Sequence, residues 1–154
     1  MDPTRIYPLR NERREKDWGS RVAIPNFLGE SSAQAPIGEL WMGAYPGSPS
    51  RLIDAEGSEP GLDAAIAESP PAWLGPEVAQ RFGNELPFLF KVLAAETALS
   101  IQAHPSQEQA QAGFAREEER GMARDARDRN YRDPHHKPEL ICALTPFTAL
   151  ARFR

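Results

Sequence analysis

The sequence has few cysteines, no long apolar run and no excess of basic residues, and each of these absences excludes a class of protein. A single cysteine, Cys142, excludes a disulfide within the chain, so a reducing compartment, the cytoplasm, is expected. No apolar run approaches the ~20 residues that span a bilayer, and the first residues lack the apolar segment of a signal peptide. Acidic residues outnumber basic ones, 22 to 18, so we expect neither a nucleic-acid partner nor a membrane partner.

Proline, in contrast, is abundant. The 154 residues, 40% hydrophobic and 26% charged, are enough for one globular domain with a core. The 15 prolines stand mostly between short apolar runs, which favours short strands and turns over a helix bundle. We therefore predict a mainly β fold with a few short helices. Because the last residues, 147–154, have the alternation of a strand, we also expect the front part of a longer protein.

Hydrophobic periodicity and turn residues predict the order of the elements. Strands are expected at 6–9, 36–43, 51–53, 88–95, 99–102, 139–144 and 147–154. Helices are expected at 63–68, 76–83 and within 106–121. The last of these follows from Ser106 and Gln109, which have the spacing of a capping box. We interpret 11–17 as a charged connection and 124–133 as a mobile loop.

The stretch 100–105, with the sequence SIQAHP, indicates a binding site. Gln102 and His104 are two residues apart, so on a strand both side chains would lie on one face. Pro105 ends the strand pairing because it lacks an N–H. Glu139 adds a carboxylate at the start of a later predicted strand. An amide oxygen, an imidazole and a carboxylate together suit a divalent metal such as zinc.

Each of these residues also has a simpler interpretation. His104 at a strand end can instead hydrogen-bond a backbone group, and glutamine is an infrequent zinc ligand. Lys91 and Lys137 are two of only three lysines. They are either solvated or ion-paired, or they line the pocket of an anionic substrate, or they act as an acid or base with a lowered pKa. Glu39 lies on a predicted strand face among apolar residues, so it needs a partner, and a simple ion pair would suffice.

Four segments together match a known pattern. They are WGS at 18–20, GELWMG at 38–43, the run at 86–105 that ends in SIQAHP, and Tyr131-x-Asp133-x-x-His136-Lys137-Pro138-Glu139-Leu140. On these segments, which extend over nearly the whole chain, the sequence resembles the type I phosphomannose isomerases, also called mannose-6-phosphate isomerases. It departs from them at His135, where the family often has asparagine, and before Trp18, where the usual glutamine and tyrosine are missing.

The resemblance implies a cupin-like β jelly roll, incomplete at its C-terminus. Residues 1–154 would be the N-terminal part of a cupin-type catalytic domain, with a helical insertion at about 106–121. The implied activity is a zinc-dependent aldose–ketose isomerase that interconverts mannose 6-phosphate and fructose 6-phosphate through an enediol. A sugar phosphate is then the expected partner, and the oligomeric state stays open. The alternative is a catalytically inactive cupin-like fragment or a sugar-binding module.

The resemblance also implies the site residues. The family holds one zinc with a glutamine, two histidines and a glutamate, and Gln102, His104 and Glu139 match three of these ligands. The fourth ligand, a histidine, and a catalytic arginine lie further downstream in the family and have no counterpart here. Four residues are expected to line the substrate pocket and act in catalysis: Lys137, Glu39, Lys91 and Ser100. Which group acts as the base stays open.

Overall fold

The structure, a computed structural model, describes residues 1–150, and the chain divides into two compact units, Met1–Leu99 and Ser100–Arg154. The strands are β1 (Leu9–Arg10), β2 (Glu12–Ser20), β3 (Ile37–Met42), β4 (Arg51–Leu52) and β5 (Phe90–Leu93). The helices are α1 (Ala23–Phe27), α2 (Leu62–Glu68), α3 (Pro70–Leu74), α4 (Pro76–Arg81) and α5 (Gln107–Glu119). The predicted combination of small β-sheets with a few short helices is confirmed. In the described part of the chain, no helix is long and apolar enough to cross a membrane.

A three-stranded antiparallel sheet in the order β2-β3-β5 organises the first unit. Its central strand, β3, confirms the strand expected at 36–43, and the first four residues of β3 are buried. The core cluster joins Ile24 of α1 to Ile37 and Leu40 of β3 and to Ala94, which follows β5. Apolar burial between this sheet and α1 therefore stabilises the first unit.

The charged connection predicted at 11–17 is wrong, because most of this segment belongs to β2. β2 is an edge strand, where charged side chains stay solvated while the backbone pairs with β3. Its register shifts between Glu15 and Ser20. At Gly19 an added Cβ would collide with the backbone of Gly38, so the close approach of the two strands requires glycine at this position.

The other edge of the sheet is β5. The strand expected at 88–95 is confirmed over Phe90–Leu93, but its partner is β3 and not the segment 99–102. Lys91 thereby comes opposite Trp41, which determines the surroundings of one predicted site residue.

A two-stranded sheet and three short helices complete the first unit. β1 pairs antiparallel with β4, so the strand expected at 6–9 is displaced to Leu9–Arg10, while the strand expected at 51–53 is confirmed. α2 and α4 confirm the two short helices predicted before residue 84. The double proline at 70–71 begins α3, because proline lacks only an N–H that the first helical turn leaves unpaired.

Helix α5 is the one regular element in the described part of the second unit. Its start confirms the predicted capping box. The Ser106 hydroxyl accepts a hydrogen bond from the Gln109 N–H at 3.3 Å, and the Gln109 side chain accepts one from the Ser106 N–H at 2.9 Å. The buried residues of α5 are small or charged: Ala110, Gly113 and Glu117.

The late strands predicted from apolar alternation are wrong. Segments 99–102 and 139–144 contain no strand, and neither does 147–150. Residues 151–154, the end of the last predicted strand, lie outside the described residues. A strand needs a neighbouring strand to pair with, and the second unit offers none in its described part. Leu140 is accordingly 92% exposed.

Candidate functional site

The predicted metal ligands lie in segments without regular structure. Gln102 and His104 belong to a coil segment, so the predicted strand that would place both side chains on one face is wrong. Gln102, His104 and Glu139 are all exposed. Within residues 1–150, no three histidine, cysteine, aspartate or glutamate side chains are placed to hold a metal ion together. The zinc assignment of these three residues therefore stays a prediction that rests on the resemblance.

An open cleft of about 630 Å³ lies in the second unit, and His104 is part of its lining. Helix α5 and the segments 103–105 and 130–137 form its walls. The charged side chains on its surface are mainly cationic: Arg116, Arg132 and Lys137, with Asp133 as the carboxylate. In a chain whose net charge is −4, this local excess of positive charge suits an anionic ligand.

The cleft brings together two of the predicted site residues, His104 and Lys137. Gln102 and Glu139 are not among the described residues that line it. Ser100 is exposed at the first position of the second unit. An imidazole and an ammonium group of the predicted site thus share one surface in the second unit.

Lys137 is ion-paired with Asp133. Its ammonium group donates to both carboxylate oxygens of Asp133, at 2.8 and 2.7 Å. Asp133 Oδ1 also accepts the N–H of His135 at 3.1 Å, a bond to the backbone two residues on that is typical of an Asx turn. The Lys137 side chain remains 49% exposed. The ammonium group therefore has a defined position and is still accessible to a ligand.

Gln107, the first residue of α5, holds the segment that precedes Lys137. Its Nε2 donates to the carbonyl of Pro134 at 2.8 Å, and its Oε1 accepts the N–H of His136 at 3.3 Å. One amide side chain therefore fixes two peptide groups. This contact was not predicted from the sequence, because a polar residue at a helix start is ordinarily solvated and no local pattern indicates that it binds a distant segment.

The loop predicted at 124–133 contains no helix or strand, and it includes a buried residue, Arg129, which is 4% exposed. The guanidinium of Arg129 donates to the carbonyls of Tyr131 and Met122, and to Glu118 at 2.7 Å. It also lies 5.1 Å from the centroid of the Phe114 ring, within the range of a cation–π contact. A run of mixed charges is typical of a solvated loop, but here a buried arginine orders the chain around it.

Glu117 on α5 is the acidic counterpart of Arg129 and is likewise 4% exposed. Its Oε2 lies 3.6 Å from Arg129 Nε and accepts the N–H of Tyr131 at 2.8 Å, while its Oε1 accepts the N–H of Asn130 at 3.2 Å. Burial raises the pKa of Glu117, but these backbone hydrogen bonds and the charge of Arg129 outweigh burial, so its pKa lies below the usual 4.5. The carboxylate is therefore ionised at neutral pH and engaged by the following loop.

Two predicted site residues, Glu39 and Lys91, lie on the three-stranded sheet of the first unit. Glu39 is 8% exposed. The Lys91 ammonium lies 3.3 Å from Glu39 Oε1, and the Trp41 indole N–H donates to Glu39 Oε2 at 3.1 Å. The expectation that this carboxylate needs a partner is confirmed. The guanidinium of Arg14 lies 4.6 Å from the centroid of the Trp41 ring, within the range of a cation–π contact.

Comparison with known proteins gives matches over most of the chain. A family model described as phosphomannose isomerase type I, catalytic domain, matches residues 6–154. The mannose-6-phosphate isomerase of Salmonella typhimurium is 50% identical over 150 residues, which cover 97% of this chain and 38% of that protein. The mannose-6-phosphate isomerase of Rattus norvegicus is 38% identical over an alignment of 163 positions, which covers 100% of this chain and 36% of that protein. The chain thus spans less than half the length of these relatives.

Solved structures of such isomerases are also similar. A zinc-bound mannose 6-phosphate isomerase superposes with a TM-score of 0.74 at 47% identity, covering 83% of this chain and 32% of that chain. The Salmonella typhimurium enzyme bound to its substrate, fructose 6-phosphate, and to zinc also gives a TM-score of 0.74 at 47% identity, covering 84% of this chain and 32% of that chain. The likeness therefore extends from sequence to three-dimensional structure.

Proposed function

The chain belongs to the type I phosphomannose isomerase family, and from this premise we propose that it acts in the interconversion of mannose 6-phosphate and fructose 6-phosphate. The observation that carries the proposal is the match to the family's catalytic domain over residues 6–154, with 50% identity to a mannose-6-phosphate isomerase. The cleft that holds His104 and Lys137 supports it, because an excess of cationic side chains suits a sugar phosphate.

Zinc is the proposed cofactor, with Gln102, His104 and Glu139 as its ligands. The donor atoms fit, since zinc accepts imidazole nitrogen and side-chain oxygen, and all three side chains are exposed to an incoming ion. The zinc-bound relatives support the same choice of metal. When bound, zinc would supply an electrophile for the negative charge that develops on the substrate oxygens. The resemblance places a fourth ligand, a histidine, and an arginine outside these 154 residues.

The proposed reaction moves a proton between C1 and C2 of the sugar through an enediol. Negative charge builds up on the two oxygens, and a preorganised cation lowers the barrier. Lys137 suits this role, since Asp133 holds its ammonium group at 2.7 Å while the side chain stays accessible. Lys91, Glu39 and Ser100 are proposed as further catalytic residues on the resemblance alone. A base within hydrogen-bond distance of the transferred proton completes the step.

We propose that the finer architecture follows the family as well. The TM-score of 0.74 to a solved isomerase supports a cupin-type catalytic domain, a β jelly roll, of which residues 1–154 are the N-terminal part. Helix α5 would then be a helical insertion in that domain. The single cysteine supports a cytoplasmic location.

A chimera tests the proposed reaction. Residues 1–154 replace the matching part of the Salmonella typhimurium isomerase, and a coupled assay follows fructose 6-phosphate formed from mannose 6-phosphate. We expect turnover by the chimera, a large loss in Lys137→Met and retention in Lys16→Met, a lysine of the edge strand β2. A chimera that folds and binds zinc but forms no fructose 6-phosphate would contradict the proposal.

A further inference from the structure

The contacts of Glu117 connect helix α5 to the segment that carries Lys137, and we propose that Glu117 is a positioning residue for Lys137. This role rests on the proposed function, in which Lys137 acts on the sugar phosphate. The sequence motifs assign no role to Glu117. Glu117 is not among the described residues that line the cleft, so it acts on the lysine through the intervening chain.

The Glu117 carboxylate accepts two hydrogen bonds from the backbone. Its two oxygens accept the N–H groups of two successive residues, Asn130 at 3.2 Å and Tyr131 at 2.8 Å. Hydrogen bonds to an ionised acceptor are stronger than those between neutral groups. Because the Glu117 side chain is only 6% exposed, water competes little for these two donors. Two consecutive peptide groups, those that carry the N–H groups of Asn130 and Tyr131, are thus oriented by the helix.

Tyr131 is held at three points. Its N–H donates to Glu117, and its carbonyl accepts from Arg129 Nε at 2.8 Å. Its ring lies directly against α5, because a Cβ added at Gly113 would come within 2.5 Å of the ring carbons. Gly113 and Glu117 are four residues apart and therefore lie on one face of the helix. Tyr131 packs against that face.

Asp133 connects Tyr131 to the lysine. Asp133 follows Tyr131 by two residues and holds the Lys137 ammonium at 2.7 and 2.8 Å. At the same time Gln107 holds the backbone of 134–136 from the first turn of α5. The segment 130–136 is therefore bound to both ends of α5, to Gln107 at its start and to Glu117 near its end. Loss of the Glu117 hydrogen bonds would free the backbone that precedes Asp133, and the position of Asp133 relative to Lys137 would loosen.

The neighbouring residue Glu118 provides a matched control. It also accepts a hydrogen bond from Arg129, at 2.7 Å, and another from Arg124 at 3.2 Å. In the described part of the chain it accepts no backbone N–H from the segment that carries Lys137. Glu118→Gln therefore removes the same charge at the adjacent helical position while leaving the backbone attachment intact.

The test uses the 154-residue chain with two measurements, amide hydrogen exchange and the rate of lysine acylation mapped by mass spectrometry. In the wild type the N–H groups of Asn130 and Tyr131 each bind a separate oxygen of Glu117. The side-chain amide in Glu117→Gln has only one oxygen to accept them. We expect several-fold faster exchange of the Asn130 and Tyr131 N–H groups, and several-fold faster acylation of Lys137 relative to Lys16. Glu118→Gln should stay near wild type in both, and Asp133→Asn, which breaks the ion pair directly, defines the full effect on Lys137.

Two outcomes would overturn the proposal. One is an equal effect of Glu117→Gln and Glu118→Gln. The other is faster amide exchange with an unchanged Lys137 rate, which would make Glu117 a purely structural residue. Should Glu117→Gln not fold, Gly113→Ala replaces it, because the added methyl group displaces the Tyr131 ring without altering any charge. An unchanged rate of Lys137 acylation in Gly113→Ala would also contradict the proposal. Neither measurement uses isomerase activity, so an inactive chimera would count against the proposed reaction and not against this inference.

Discussion

At the residue scale, the charged side chains of the candidate site and its surroundings form ion pairs. Three pairs show this: Lys137 with Asp133, Lys91 with Glu39, and Arg129 with Glu117. A pair on the surface contributes ~0–1 kcal/mol, whereas removal of one partner from a buried pair leaves an uncompensated charge. The Arg129 side chain is 0% exposed and that of Lys137 is 49% exposed. The Arg129–Glu117 pair therefore supports the fold, and the Lys137–Asp133 pair leaves a cation accessible to a ligand.

The zinc assignment makes a prediction about His104. Removal of its imidazole in His104→Ala should remove most of the zinc bound by the chimera, because the remaining ligands cannot complete a tetrahedral shell. Metal analysis of the purified protein after dialysis measures the occupancy. His135→Ala, which changes another histidine of the same cleft, is the control and should retain zinc. Full occupancy in His104→Ala would exclude this residue as a ligand.

The lowered pKa of Glu117 makes a prediction about pH. Its pKa in the folded chain lies below 4.5, its usual value, so its contribution to stability is present above that pH and is lost as pH falls through the folded-state pKa. We expect urea midpoints measured between about pH 3 and 6 to fall less steeply in Glu117→Gln than in wild type. Hydrogen bonds from Arg124 and Arg129 also lower the pKa of Glu118, so some acid sensitivity should remain. Identical pH profiles for the two proteins would contradict the prediction.

At the scale of the elements, caps and available partners decide which sequence patterns become regular structure. α5 forms where predicted because its capping box is a local signal that needs no distant residue. β2 forms from a charged segment because β3 offers an edge and the outer side remains solvated. The alternating segment 139–144 stays irregular, since the described part of its unit has no strand beside it. Local signals therefore predicted the capped helix α5 and the apolar strands β3 and β5, but they did not predict which segments pair with one another.

The cap of α5 gives the element-scale prediction. Ser106→Ala removes the oxygen that accepts the Gln109 N–H, and loss of such a cap costs about 1 kcal/mol. Amide exchange in the first turn of α5 should accelerate accordingly, and the Gln107 contacts to 134–136 should loosen with it. Ser100→Ala, a change of an exposed serine outside the helix, is the control. Unchanged protection of the first turn in Ser106→Ala would show that the cap contributes nothing.

At the scale of the whole molecule, the two units are stabilised in different ways. The first unit buries an apolar cluster that includes Ile24, Ile37 and Leu40. In the described part of the second unit, the buried side chains are Ala110 and a hydrogen-bonded charged pair, Glu117 and Arg129. Apolar burial is non-directional, whereas a buried charge network specifies a geometry. The described core of the second unit is accordingly held by directional polar contacts, and that of the first unit by apolar packing.

The apolar core of the first unit predicts a large effect at Leu40, which is 3% exposed. Leu40→Ala should lower the free energy of unfolding by about 2–5 kcal/mol, since it removes buried methyl groups and leaves a cavity. Urea unfolding followed by tryptophan fluorescence measures the change. The same substitution at Leu140, which is 92% exposed, should stay within about 0.5 kcal/mol of wild type. Equal losses at the two positions would contradict the assignment of the core.

The sequence by itself determined what depends on residues close together in the chain. These features are the family motifs, the capped helix, the central strand at 36–43 and the need of Glu39 for a partner. Only the tertiary structure decided what depends on residues distant in the chain. It paired β5 with β3, made a charged segment an edge strand, and buried Arg129 against Glu117. The physical reason is that strand pairing and burial are properties of a residue's neighbours in space, and these neighbours are separated from it along the chain.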